Sequence, residues 1–182
     1  MTILGALMGF LLLSGGMQPA RSVASVLPTY AVTLTAYNAV PSQTDSNPFE
    51  TASGAYSNPE VVAARSQDLG DELPFGTIIE IDGSDISSEN TCGYDVVARR
   101  IGYRVIADTM NARYTKRVDL LFNTKADYAT TDKGMKNAAE ILGICKGITV
   151  RVVGHVNINR IPKTQAELVA VVNSMGKDLA VK

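Results

Sequence analysis

The chain has 182 residues, 46% of them hydrophobic and 19% charged, with 17 Lys+Arg against 18 Asp+Glu. That is enough for one ordinary domain with a real core, too little for two, and unlike a disordered, collagen-like or coiled-coil chain. A net charge of -1 leaves no bulk positive field to hold nucleic acid, 2 Cys cannot frame a disulfide miniprotein, and 1 His excludes a multi-His metal centre.

Ile3 to Leu13 is an uncharged apolar run followed by Ser14-Gly15-Gly16. A spanning helix needs about 20 apolar residues, whereas the core of a secretory signal needs about 7–15. Ser22-Val23-Ala24 supplies the small residues a cleavage site uses. The expectation is a signal peptide over 1–24, cleaved before Ser25. The mature chain is then exported to the periplasm or cell envelope with no stable membrane span. An apolar first helix and a retained anchor are the competing readings. In an oxidising compartment Cys92 and Cys145 can pair; otherwise they are two free thiols.

Val32 to Tyr37 alternates apolar and polar residues, as a half-buried strand does. Residues 41–60, dense in Pro, Ser, Thr, Asn and Gly, read as a long ordered loop, and such loops are usually functional or disordered. Strand character resumes over Val61–Ala64, and Pro74-Phe75-Gly76-Thr77 is a turn feeding a strand over Ile78–Ile81. A polar loop over Asp82–Asp95 carries Cys92, and further strands follow at Tyr103–Ala107 and Val118–Phe122. A helix is expected within 126–142, stopped by Gly143, then a strand over Ile148–Val152. Thr164-x-x-Glu167 reads as a capping box opening a helix that carries Leu168, Val171 and Val172 and ends near Gly176. The sum is a mainly β domain: a small six-stranded barrel over 25–160, one or two peripheral helices, and a C-terminal helix within 161–182.

The residues most able to carry chemistry are Asp108 and Asp119, each in or at the end of an apolar strand. A carboxylate there is costly to desolvate unless paired or hydrogen-bonded. Two strands joined by a short loop can bring both carboxyls to one rim, where like charges raise one pKa and keep a proton available to a leaving oxygen. The competing reading is structural: one aspartate capping the turn at Thr109-Met110-Asn111, the other paired with Arg117 or Lys116. Other chemistries fit less well. Asp108-Thr109 lacks the glycine of the aspartic-protease Asp-Thr-Gly, and Asp45, Glu50 and Asp68 lack calcium-loop spacing. Ser53 is not in a G-x-S-x-G elbow. No cofactor and no metal is expected. Arg99, Arg100, Arg104, Arg113, Lys116 and Arg117 read as a solvated basic rim able to attract anionic groups.

An ordered set of short motifs runs from about residue 32 to 153: Thr35-Ala36-Tyr37, Thr51-Ala52-Ser53-Gly54, Leu73-Pro74-Phe75-Gly76-Thr77, Ala107-Asp108 and Val118-Asp119-Leu120. In this order they resemble the three-aspartate domain family of the double-psi β-barrel superfamily, which includes membrane-bound lytic murein transglycosylase A, rare lipoprotein A and expansins. Two departures stand out. Thr109-Met110-Asn111-Ala112-Arg113-Tyr114 replaces a Thr-Gly-Gly-Ala-Ile-Lys segment, and Ala64-Arg65-Ser66 fills the place of the first aspartate, with Asp68 or Asp71 as displaced candidates. The histidine of the rare-lipoprotein branch has no match, because His155 follows the last core strand.

The resemblance implies a double-psi barrel. It also implies cleavage of the β-1,4 bond between N-acetylmuramic acid and N-acetylglucosamine, ending in a 1,6-anhydro sugar. It points to Asp119 as general acid and base, with Asp108 tuning it or binding the glycan. Tyr37 would stack on a sugar ring, and Thr35, Thr51 and Ser53 would bind hydroxyls. The implied partner is the peptidoglycan glycan strand, met by a monomer. The alternatives are a non-catalytic glycan-binding barrel, as the expansin branch suggests, and a structural envelope domain.

Overall fold

A computed structural model of the chain describes residues 27–84, 86, 90, 92–131 and 134–180; the expected signal peptide, 1–24, lies outside the described residues. The strands are Thr29–Asn38 (β1), Val62–Arg65 (β2), Thr77–Asp82 (β3), Arg104–Thr109 (β4), Arg117–Phe122 (β5), Asp127–Thr130 (β6), Gly134–Asn137 (β7) and Cys145–His155 (β8). Three α-helical segments accompany them: Tyr94–Val97 (α1), Ala138–Leu142 (α2) and Gln165–Ala180 (α3). Six strands close into a barrel in the order β1-β5-β2-β4-β3-β8, while β6 and β7 form a separate two-stranded sheet. β1 with β5 and β2 with β4 are parallel; the other barrel pairs are antiparallel. The fold is therefore mainly β, a closed mixed barrel with few short helices, compatible with a double-psi arrangement. Closure leaves the barrel without an unpaired edge.

Period-two alternation divides the buried side chains. On β5, Val118, Leu120 and Phe122 enter one apolar cluster and Leu121 the other. The first cluster also holds Leu34, Ile106 and Ile148 and is met by α1 and α2 through Val97, Ala138 and Leu142. The second is met by α3, whose Leu168 is fully buried and whose Val171, Val172 and Met175 pack alongside. Cys92 and Cys145 form a disulfide that ties the segment before α1 to the start of β8.

The expected turn is present, with the Thr77 N–H donating to the Pro74 carbonyl at 3.1 Å. Gly76 there has φ 91, and a Cβ would drive into the Val156 carbonyl oxygen, so the position requires glycine.

Three expectations need correction. Residues 126–142 are not a single helix: the β6–β7 hairpin precedes the short α2. Gly134 has φ 71, which an α-helix cannot contain, and the Thr130 hydroxyl donates to the Gly134 carbonyl at 2.7 Å. Helix begins only where the Asn137 side chain accepts the Ala139 N–H. Gly176 does not end the last helix, which runs to Ala180; an interior glycine costs only about 1 kcal/mol. The capping box of that helix is only half formed. Thr164 Oγ1 accepts the Glu167 N–H at 3.2 Å, but the Glu167 carboxylate accepts from Lys163 N at 2.7 Å.

Arg104 is the largest departure from the expected basic rim, being only 1% exposed. Its guanidinium donates to the carbonyls of Ile101, Pro59, Val62, Leu121 and Arg100. It also lies 5.5 Å from the centre of the Phe122 ring. Burial pulls its pKa down to about 10, so it remains charged at neutral pH.

Candidate functional site

One rung of the barrel carries the site. Thr35 of β1 pairs with Asp119 of β5, Asp119 with Ala64 of β2, and Ala64 with Asp108 of β4. Cross-strand partners share a face, so all four side chains project to the same side, and the two aspartates stand two strands apart with their Cα atoms separated by about 10 Å. Between them lies only the methyl of Ala64. β1, which lies beside β5 but not beside β4, supplies each carboxyl with a hydroxyl. Thr35 Oγ1 donates to Asp119 Oδ1 at 2.7 Å, and Tyr37 Oη donates to Asp108 Oδ2 at 2.8 Å. Thr35 and Tyr37 can both do this because strand residues two apart face the same way.

The two carboxyls are held differently. Asp108 Oδ1 also accepts the Ala52 N–H at 2.9 Å and the Thr109 N–H at 2.8 Å, so both of its oxygens are occupied. Asp119 Oδ2 has no hydrogen-bond partner among the described residues. Burial pushes the Asp119 carboxyl up to about 6, and the Asp108 charge adds to the rise; the Thr35 hydroxyl and the Arg117 charge oppose it. Tyr37 is driven far above the ordinary phenol range, first by burial and then by Asp108, and so stays a donor.

Both aspartates line a groove of about 830 Å³. One wall is the loop expected over 41–60, through residues such as Gln43, Asn47 and Thr51; the other is the turn after β4, through Met110, Arg113 and Tyr114. Thr51-Ala52-Ser53-Gly54 is clasped onto the end of β4, where the Ser53 N–H donates to the Ala107 carbonyl at 3.2 Å. Arg113 and Arg117 lie 4.8 and 4.6 Å from the centre of the Tyr114 ring. Lys116, at φ 47, takes up the left-handed turn that leads into β5, and its N–H is held by Asp68 Oδ2 at 2.9 Å.

The structure thus brings Thr35, Tyr37, Asp108 and Asp119 together, with Thr51 on the groove wall. It does not give each the role the sequence suggested. Tyr37 lines the groove but is only 8% exposed, and its hydroxyl is committed to Asp108, so it orients that carboxyl. The Thr51 hydroxyl is 3.0 Å from that of Ser53 and donates to the Ala55 carbonyl at 3.1 Å, which holds the loop together. Ser53 is not among the groove-lining residues. Neither displaced candidate for a first aspartate lines the groove. Asp68 caps Lys116, and its carboxyl is held below the usual range by the Ser66 hydroxyl first and the Lys116 N–H second. His155 Nε2 lies 3.1 Å from the Thr77 hydroxyl, away from the groove lining.

Two contributors escaped sequence reasoning. The Ala52 N–H carries no side-chain signature, and Ala64 matters for its small size and its place between two strands. Among the described residues no group of three or more His, Cys, Asp and Glu side chains is placed to hold a metal ion. No protein-family model and no curated protein sequence matches this chain.

Proposed function

We propose that this chain acts on peptidoglycan glycan strands as a lytic transglycosylase of the three-aspartate type in the double-psi β-barrel superfamily, exported to the periplasm or cell envelope. The observation that carries the reading is Asp119: a carboxyl pushed up to about 6, facing an open groove with one oxygen unbonded. Near neutrality part of the population keeps the proton a general acid needs. Protonated Asp119 donates to the glycosidic oxygen as the bond from the muramyl anomeric carbon breaks. The carboxylate then takes the proton of the sugar's own 6-hydroxyl as that oxygen closes the 1,6-anhydro ring. The sugar hydroxyl does what a second carboxylate does in standard glycosidases. Asp108, anchored by Tyr37, Ala52 and Thr109, stays fixed across the groove to hold sugar hydroxyls and add negative charge beside Asp119. The Cys92–Cys145 bond suits an oxidising compartment.

A glycan-binding module is the rival, and Met110 favours it. This buried side chain lines the groove where the resembled family carries glycine, and so narrows it. Incubating purified murein sacculi with wild type and with Asp119→Asn separates the two. Anhydro-muropeptides released by wild type alone, at a rate falling as pH rises past about 6, support the enzyme. Retention of both proteins on sacculi without release supports the module, and neither binding nor release refutes both.

A further inference from the structure

A second cleft, of about 620 Å³, lies at the other end of the same strands and plays no part in the chemistry proposed above. β4 and β5 both pair with β2, one parallel and one antiparallel, so they run in opposite directions. Arg104 at the start of β4 therefore lies near Phe122 at the end of β5, away from Asp108 and Asp119. Arg99, Arg100 and Lys125 line the cleft, together with Asn123 and a single carboxylate, Glu60. Among the described residues the one ion pair is Arg151 with Glu80, so none of these cations is neutralised by a carboxylate.

One donor is fixed in place and the set is unspent. Arg100 lies 5.2 Å from the centre of the Tyr128 ring and donates Nε to the Tyr128 hydroxyl at 2.9 Å, which sets the guanidinium plane and leaves both terminal nitrogens without a partner. The side chains of Arg99 and Lys125 and the Asn123 amide nitrogen are likewise unbonded among the described residues. Behind the wall, buried Arg104 bonds the Arg100 and Pro59 carbonyls and adds a charge with no carboxylate on it. Four cations thus surround one cleft against one anion. Guanidinium forks match the oxygens of phosphate, and two or three cations suit a doubly charged tetrahedral group better than a planar monoanion. The volume exceeds that of a bare phosphate and falls in the range of small-molecule sites.

We infer that the cleft lined by Arg99, Arg100 and Lys125 binds a phosphate ester, carried either by a small phosphorylated molecule or by a phosphate-linked polymer. The full chain, labelled for amide NMR, is titrated with inorganic phosphate, glucose 6-phosphate, poly(glycerol phosphate) and, as a carboxylate control, succinate. The expected result is saturable shifts confined to 99–104 and 122–128, with succinate at least tenfold weaker. Lys125→Gln and Arg100→Gln should each weaken phosphate about tenfold, with the thermal midpoint of the exposed Lys125→Gln unchanged. Glucose 6-phosphate binding tighter than the polymer identifies a small molecule, and the reverse order a polymer. The inference is overturned if no saturable shifts occur there, if both variants bind like wild type, or if succinate equals phosphate. None of these outcomes bears on sacculus cleavage, so the two readings stand or fall separately.

Discussion

The two ends of the barrel handle charge in opposite ways. At Arg104 the guanidinium is sealed among backbone carbonyls that accept from every one of its nitrogens. At the other end Asp119 is partly buried with one hydrogen bond, one open oxygen and a raised pKa. A buried charge with all its bonds made holds a fold together, whereas one left short of partners is a cost that a purely structural residue would not carry. Removing the first should destabilise the protein, and removing the second should stabilise it. Opposite signs at two ends of one barrel separate framework from site more sharply than proximity does.

The largest expected effect is at the framework end. Arg104→Ala leaves several buried carbonyls unpaired and should cost about 4–5 kcal/mol of unfolding free energy, read from the denaturant midpoint. A loss under about 1 kcal/mol would break the comparison. Next comes the Cys92–Cys145 bond, which belongs to neither end. With a sequence separation of 53, its removal in Cys92→Ser should cost about 4 kcal/mol by loop-closure entropy, matched by adding reductant to wild type.

Asp119→Asn tests the other sign. The carboxyl binds its proton more tightly folded than unfolded, so its share of stability is full below about pH 4 and is lost as pH rises through about 6. The rise from 3.8 to about 6 corresponds to at most about 3 kcal/mol. Asparagine has no such loss. The variant should therefore exceed wild type by about 2 kcal/mol at pH 8 and show no gain near pH 3, in parallel urea titrations. Equal stability at both pH values would mean that Asp119 is an ordinary solvated carboxylate. The smallest effect belongs to Thr35→Val. Losing one hydroxyl should cost about 1 kcal/mol and move the Asp119 titration, followed by carboxyl carbon NMR, further upward, because Thr35 stabilises the charged form.

Much of the framework was legible in the residues. Alternation from Val32 to Tyr37 and from Ile148 to Val152 marked strands, because the period of two survives wherever one face is buried. The misreading of 126–142 has a local origin. Its apolar residues gather at 138–142, and nothing before them distinguishes a weak helix from the two short strands of a hairpin. Of the site, Asp108 and Asp119 stood out as charges in apolar strands. The roles of Tyr37 and Arg104 did not, since a tyrosine on a strand face and an arginine in a basic stretch look the same whether buried or exposed.

Periodicity, turn chemistry and capping act over a few residues, and they were enough to determine a mainly β chain with a glycine turn at 74–77 and two aspartates at strand positions. Strand order, direction and closure join residues far apart in the chain. Only the tertiary structure decided that Ala64 stands between Asp119 and Asp108, that β1 supplies each with a hydroxyl, and that Arg104 is sealed away while Arg99 and Arg100 face a second cleft. The physical reason is that a side chain's face follows from its own strand, but what it meets there depends on which strand lies next to it.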